Sequence, residues 1–357
     1  MNIWGENLKI SIFGESHGEG IGVVIDGIPS GLMLDMDNIA MQMKRRAPGK
    51  NKLSTPRAEG DEVKILSGFK DGKTTGTPLC GIIFNTNTRS GDYQSNLLRP
   101  GHADFTAMAK YGESRDFRGG GHFSGRITAS LVFAGAIARQ ILKDYGVSIG
   151  AHIYSIGDVL DAPFDMIGLH EDVLNELSLK DFPVIDDEAG EKMKEVIDAH
   201  RMDKNSVGGV VECGVCGVPS GIGSPFFGSI ESRLSSMMFS IPGVKGIEFG
   251  LGFDFAKLDG KNANDEFYTD GNEIKTYTNN NAGINGGISN GMPIVFRLAL
   301  KPTPSIASRQ RTVDIEKMEN TTIEINGRHD PCIVHRAAVV AENATAIAIL
   351  DMMLGKD

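Results

Sequence analysis

Apolar and polar positions along the chain alternate between two periods. Residues 8–13 (LKISIF) and 22–29 (GVVIDGIP) are short apolar runs bounded by glycine, and they predict two strands around a tight Gly-rich turn. Residues 36–46 carry a helical period. Residues 47–61 are polar and include Pro48, Gly49, Pro56 and Gly60, which predicts a loop. The segment EVKILSGFKDGKTTGTPLCGIIFN predicts a hairpin turning at Asp71-Gly72, and a second long loop follows over 85–104. Residues 128–145 (TASLVFAGAIARQILKDY) predict a strong helix with Gly146 placed to stop it.

Past that helix, residues 147–160 return to strand, and 165–200 are charged and helical in places. VGGVVECGVCGVP predicts a buried strand, 225–241 a helix, VKGIEFGLGF a strand and GMPIVFRLALKP another, with an acidic and then Asn/Gly-rich stretch at 254–291 between the last two. Residues 333–354 predict a second long, Ala-rich helix. Strands and helices mix without regular βα alternation, so an α+β fold is expected in place of a doubly wound sheet. No stretch reads as a linker and no repeat of fixed period is visible, so residues 1–357 are expected to form one domain.

Composition narrows the function classes. Apolar residues make up 40% of the chain and charged residues 23%, an ordinary balance for a globular protein with a sizeable core. The net charge of −10 argues against nucleic-acid or membrane-surface binding, though a local basic cluster would still serve an anionic ligand. The N-terminus lacks a basic start followed by an apolar run, no segment reaches the ~18 uncharged residues of a membrane span, and four cysteines do not make a disulfide framework. A cytoplasmic protein is expected. Cys213 and Cys216 form a C-x-x-C with no second ligand pair, so they read as strand residues and no metal site is expected.

Six segments could carry chemistry. Gly14-Glu15-Ser16-His17-Gly18 matches the G-x-S-x-G elbow of serine hydrolases, but a second strand follows it where the elbow needs a helix. Ser16 and His17 on a turn could still meet a ligand, with His17 donating a proton to a leaving phosphate or merely capping the turn. From Lys44 to Arg57 six basic residues (Lys44, Arg45, Arg46, Lys50, Lys52, Arg57) occur without an acid, either as a solvated run or as guanidinium forks for an anion. Gly68–Thr74 is one residue short of a phosphate loop, and it reads as a turn.

The densest segment is Arg99-Pro100-Gly101-His102-Ala103-Asp104, with Asp116-Phe117-Arg118-Gly119-Gly120-Gly121-His122-Phe123-Ser124-Gly125-Arg126 after it. Three consecutive glycines let backbone approach a ligand closely, and the helix beginning near 128 offers amide donors to phosphate. A Gly-rich turn with a cap would explain the glycines, but not Arg99, His102, Arg118, His122 and Arg126 together. Asn285-Gly286-Gly287-Ile288-Ser289 and Lys301-Pro302-Thr303-Pro304-Ser305 are two polar loops flanking one strand. Gly327-Arg328-His329-Asp330-Pro331 precedes the last helix, where an Arg and a carboxylate could bind an anion and move a proton, or form a local salt link.

Taken in order, Phe13–Gly18, Arg99–Asp104, Arg118–Gly121 with Ser124 and Arg126, Lys301-Pro302-Thr303 and Gly327–Pro331 resemble the sequence blocks of the chorismate synthase family, over residues 4 to about 351. The resemblance implies helices sandwiched between antiparallel sheets, a homotetramer, and a lyase that turns 5-enolpyruvylshikimate 3-phosphate into chorismate. Phosphate would leave carbon 3 and a hydrogen carbon 6, with reduced FMN assisting and no net redox change. The alternative is a Ser16/His17 hydrolase of a phosphorylated small molecule. A flavin-binding module with a redox role is a third reading.

Residue by residue, the resemblance assigns phosphate protonation to His17, protonation of or a hydrogen bond to the reduced flavin at its pyrimidine side to His102, and a proton relay near flavin N5 to Asp330. Ser16, Arg46, Arg99, Arg126 and Arg328 would hold phosphate and carboxylates. FMN would be met by His122, Phe123, Ser124, Pro242, Gly243, Gly286, Lys301, Pro302, Thr303, Pro304, Ser305 and Arg328. Arg46 and Lys52 match positions linked to NADPH, the reductant of FMN in some members. Lys52 stands where many members have Arg, a point charge in place of a fork. His122, Gly125 and Pro304 likewise replace a common Arg, Ala and Ser.

Overall fold

The computed structural model describes residues 2–49, 60–86, 95–325 and 330–355. Eight α-helices occur among them: α1 (Met36–Arg46), α2 (Asp104–Tyr111), α3 (Thr128–Asp144), α4 (Glu171–Leu179), α5 (Asp187–Met202), α6 (Ile230–Met238), α7 (Gly260–Ala263) and α8 (Val334–Leu354). Every strand pairing among the described residues is antiparallel.

Two five-stranded sheets form the outer layers. In spatial order, the first joins Ile3–Trp4, Lys9–Gly14, Gly20–Asp26, Leu79–Phe84 and Val63–Ser67. The second joins Val244–Phe249, Ile294–Leu300, Gly209–Cys216, Ser148–Ile156 and Val159–Leu160. Between them lie α3, packed on the first sheet, and α8, packed on the second, with α1 against both helices. Residues 128–138 of α3 and 337–351 of α8 are buried without a break. A helix apolar on every side must be covered on every side, and here two sheets cover it. The expected α+β sandwich is the observed one.

Small residues make the layers fit. A Cβ on Gly135 of α3 would stand 2.3 Å from the Asn343 carbonyl oxygen of α8, so the two helices cross at glycine distance. A Cβ on Gly81 would meet the Phe133 ring at 2.3 Å, and the bare strand there receives that ring. On the outer face of the second sheet, Gly150 lies under Leu174 of α4, and Gly214 under Leu169 and Phe164. Cys213 is buried on the inner face, its thiol pushed up to about 12 by burial and placed 3.6 Å from the Thr345 hydroxyl. The C-x-x-C is therefore strand, and no group of metal ligands occurs among the described residues.

By length and composition α8 is the single helix among the described residues that could cross a membrane, yet 78% of its most apolar window is buried inside the protein. Its last turn also closes the first sheet. Asp351 Oδ1 accepts the backbone N–H groups of Glu6, Asn7 and Leu8 at 2.9, 2.7 and 2.8 Å, and Oδ2 is paired with Arg233.

Other expectations meet their elements with small adjustments. Asp71 and Gly72 both adopt positive φ, +51° and +83°, as a two-residue hairpin turn requires, but that turn closes a small hairpin (Phe69–Lys70 with Lys73–Thr74) nested inside the longer pairing. The near-phosphate loop Gly68–Thr74 is this turn. Helix α2 and the hairpin Gln310–Asp314 with Glu319–Ile323 had no counterpart in the sequence pattern.

Candidate active site

The N-terminal ends of both core helices open on one corner of the sandwich. Ser124 leads into α3, accepting the Arg126 N–H at 3.3 Å, and Asp330 leads into α8, paired with Arg336 at 2.5 Å. Helix N-termini carry unsatisfied N–H groups and the positive end of the helix dipole, which favours anions there.

The turn between strands Lys9–Gly14 and Gly20–Asp26 brings Ser16 and His17 to this corner. Ser16 is fully buried, and its N–H donates to the Gly121 carbonyl at 3.1 Å. Its hydroxyl donates to the Arg118 carbonyl at 3.3 Å and lies 3.2 Å from His17 Nδ1. A strand–turn–strand setting with a buried hydroxyl is not a nucleophile elbow, which must throw its serine outward before a helix.

Gly119, Gly120 and Gly121 hold the corner together, with φ of +59°, +94° and +54°. A Cβ at Gly119 would stand 2.0 Å from His17 Cε1 and 2.8 Å from Ser16 Oγ. One at Gly120 would stand 3.2 Å from His102 Nε2, and one at Gly121 would stand 2.2 Å from the Asp116 carbonyl. Thus His17 and His102, 85 positions apart in the sequence, lie against consecutive residues of one loop, whose Cα atoms are about 3.8 Å apart. The next residue, His122, donates Nδ1–H to the Gly14 carbonyl at 2.7 Å and ties this loop to the Ser16 turn.

The cations are organised by carboxylates that the sequence reading did not single out. Arg99 grips Asp104 through Nε and Nη2 at 2.8 and 2.7 Å, and Asp104 also meets His102 Nδ1 at 2.7 Å. Burial alone would raise the Asp104 carboxyl, but the bonds from His102 and Arg99 outweigh it and hold Asp104 well below the usual carboxylate range. Arg46 meets Asp61 at 2.5 Å, and Arg126 is bonded to the other oxygen of the same carboxylate. Asp61 is likewise held low, as these two guanidiniums overcome its burial. Arg126 also donates to Asn85 at 3.1 Å, and Asn85 donates in turn to the carbonyls of Glu15 and Gly18. In the basic run, Lys44 is exposed, but Arg45 pairs with the buried Glu342 of α8 at 2.5 Å, and Arg46 with Asp61.

A third group completes the corner. The Lys301 N–H donates to the Gly243 carbonyl at 2.9 Å, and Lys301 Nζ donates to the Gly101 carbonyl at 2.6 Å, next to His102. A Cβ on Gly101 would touch Pro304 at 3.4 Å. The Ser206 hydroxyl donates to the Thr303 carbonyl at 2.7 Å, while the buried Thr303 Oγ1 has no hydrogen-bond partner among the described residues.

Contacts thus bring together Ser16, His17, Arg46, Arg99, His102, His122, Ser124, Arg126, Gly243, Lys301 and Pro304. Gly286 is set apart. It forms the tip of a tight hairpin (Ile284–Asn285 with Ile288–Ser289) before strand Ile294–Leu300, whereas Lys301 follows that strand's far end. Lys52 and Arg328 lie outside the described residues. Asp61 and Asp104 carried a usable signal, an acid within five residues of His102 and Arg99 in one case and the first acid but one after a basic run in the other.

Comparison with known proteins agrees with this geometry. The family description "Chorismate synthase" matches residues 8–354. The chorismate synthase of Dehalococcoides mccartyi is 44% identical over 355 residues, 99% of this chain and 96% of the relative. That of Methanobrevibacter smithii is 44% identical over 356 residues, with the same coverage. That of Lachnospira eligens is 46% identical over 354 residues, 99% of this chain and 94% of the relative. A crystal structure of chorismate synthase superposes with a TM-score of 0.79 at 30% identity, covering 99% of this chain and 93% of that one. An α+β sandwich with histidines and arginines gathered at its helix N-termini is here an enzyme, a carbon–oxygen lyase. The chain belongs to the chorismate synthase family.

Proposed function

We propose that this protein eliminates phosphate and a ring proton from 5-enolpyruvylshikimate 3-phosphate to give chorismate, with reduced FMN bound and not consumed. The observation that carries the reading is the Gly119–Gly121 loop, which lies against both His17 and His102 just before the N-terminus of α3.

Each group has a task it is built for. Arg126, Arg46 and the α3 N-terminus supply positive charge for the phosphate and carboxylates, with Asp61 keeping the two guanidiniums fixed before substrate arrives. His17 protonates the departing phosphate, since imidazole titrates near neutral pH. Arg99 is committed to Asp104 and contributes to binding mainly by fixing the Arg99–Asp104 loop. Asp330, paired with Arg336, is read as the carboxylate that relays the ring proton.

The residues present fit a flavin. The unpaired Thr303 Oγ1, the Lys301–Ser305 segment seated on Gly243 and Gly101, and the His122–Ser124 turn would hold it. When bound, reduced FMN supplies the electron density and proton acceptor that an unactivated C–H needs. Arg46, with Lys52, would also meet NADPH if the enzyme reduces its own flavin. We further read the chain as a single catalytic domain, working in the cytoplasm as a homotetramer without nucleic-acid or membrane partners; these points rest on the resemblance.

The test is anaerobic mixing of the purified protein with 5-enolpyruvylshikimate 3-phosphate and chemically reduced FMN. Equal yields of chorismate and phosphate, with the flavin still reduced at the end, are expected. Phosphate without chorismate, or flavin oxidised in step with product, would overturn the reading in favour of a hydrolase or a redox protein respectively.

A further inference from the structure

We infer that Asp104 is a positioning residue that sets the tautomer and aim of His102, with Arg99 as the clamp that keeps Asp104 in place. The inference rests on the proposed role of His102 and adds a residue to it.

The geometry is a three-part relay within six residues. Asp104 Oδ1 lies 2.7 Å from His102 Nδ1 and also accepts Arg99 Nη2 at 2.7 Å. Asp104 Oδ2 accepts the Arg99 Nε–H at 2.8 Å and the Arg99 backbone N–H at 2.9 Å. Both oxygens are thus fixed, and the carboxylate cannot swing away from the ring without breaking a bidentate pair. Because Arg99 and His102 hold Asp104 well below the usual carboxylate range, it stays ionised and can only accept. The proton of a neutral His102 is therefore on Nδ1, and Nε2 is the atom presented to the Gly120 side of the cleft. In this state Nε2 takes up a proton; once the ring is charged, Nε2 gives it up. The side chains of His102 and Asp104 are 15% and 11% exposed, so little water competes for the bond.

A plain helix-start salt bridge between Arg99 and Asp104 would account for their pairing. It would not require the histidine ring to share the same carboxylate, nor Gly120 to lie bare against the other ring nitrogen.

The test compares Asp104→Asn, His102→Ala and the double variant. Asparagine keeps the shape and bonds to Arg99 through one oxygen, but it no longer forces the proton onto Nδ1. Asp104→Asn should lower kcat by about 10²-fold or more, within the range of a misdirected acid–base group. The substrate KM should stay within about threefold and the melting temperature within a few degrees. The double variant should be no slower than His102→Ala alone, because Asp104 acts through that ring. Wild-type kcat in Asp104→Asn, or an equal loss in the His102→Ala background, would overturn the inference. Full activity in His102→Ala alone would instead remove His102 from the reaction, a separate failure read from the single variant.

Discussion

His102 and His152 are both held at Nδ1 by an aspartate, at 2.7 and 2.8 Å, yet they differ at the second nitrogen. His152 Nε2 is bonded to Glu212 at 2.9 Å, and the ring is fully buried under the outer face of the second sheet. Asp161 there also accepts the N–H groups of Ile185 and Asp186, while Glu212 accepts the Phe164 N–H and pairs with Arg297. His102 Nε2 lies on the Gly120 side and has no hydrogen-bond partner among the described residues. One imidazole is a structural pin with both nitrogens engaged; the other keeps one nitrogen for the reactant contact proposed above. The same residue pair thus serves cohesion in one place and, in the role proposed above, chemistry in the other.

The comparison can be broken most forcefully at the catalytic corner. His17→Ala should lower turnover by about 10²–10⁴-fold with little change in melting temperature. Near-normal turnover would show that this corner is no more than a turn. At the structural pin the response should invert. His152→Ala leaves two buried carboxylates without their shared cation, which costs about 3–5 kcal/mol in stability. The activity of the fraction still folded should be retained, and denaturant titration beside a turnover assay separates the two quantities.

The smallest effect is in the pH dependence of stability. Burial alone would lower the His152 value, but Asp161 and Glu212 outweigh it and raise it above the ordinary histidine value. A raised folded value means that the contribution is fully present below about pH 6.5 and fades as pH rises through the higher folded value. Asp161 and Glu212 are held low, so their contribution is lost only as pH falls through their folded values. The melting temperature of the wild type should therefore decline on the alkaline side, and this decline should be shallower in His152→Gln. Identical profiles for the two proteins would mean that the ring is neutral.

Much of the sandwich was legible because its signals are local. The apolar span of α3 with Gly146 behind it, the Ala-rich α8, and the strand–turn–strand at Ser16 each announce themselves within twenty residues. Helix α2 did not, being eight residues long with a single buried position, Ala107. The hairpin Gln310–Asp314 with Glu319–Ile323 is mostly polar and exposed, so it offers no alternation to read.

At the site, residue types that do chemistry were visible, whereas their partners were not. Asp61 reaches Arg126 across 65 positions, and no spacing rule links them. Arg99, read as a substrate cation, turns out to be spent on a carboxylate five residues away, because a bidentate fork satisfies itself locally when an aspartate is in reach.

The bond from Asp351 to the N–H groups of Glu6, Asn7 and Leu8 fixes an order of events during synthesis. The backbone of Leu8 meets its acceptor 343 positions later, so this contact cannot form until residue 351 has been made. Strands Lys9–Gly14 and Gly20–Asp26 can pair earlier and be covered by α3, but the inner face of the second sheet lacks α8 until then. Such long-range closure is slow and leaves sheet surface exposed while it waits. The contact therefore acts as a late latch: a chain cut before residue 351 keeps its paired strands but leaves the start of the first sheet unfastened.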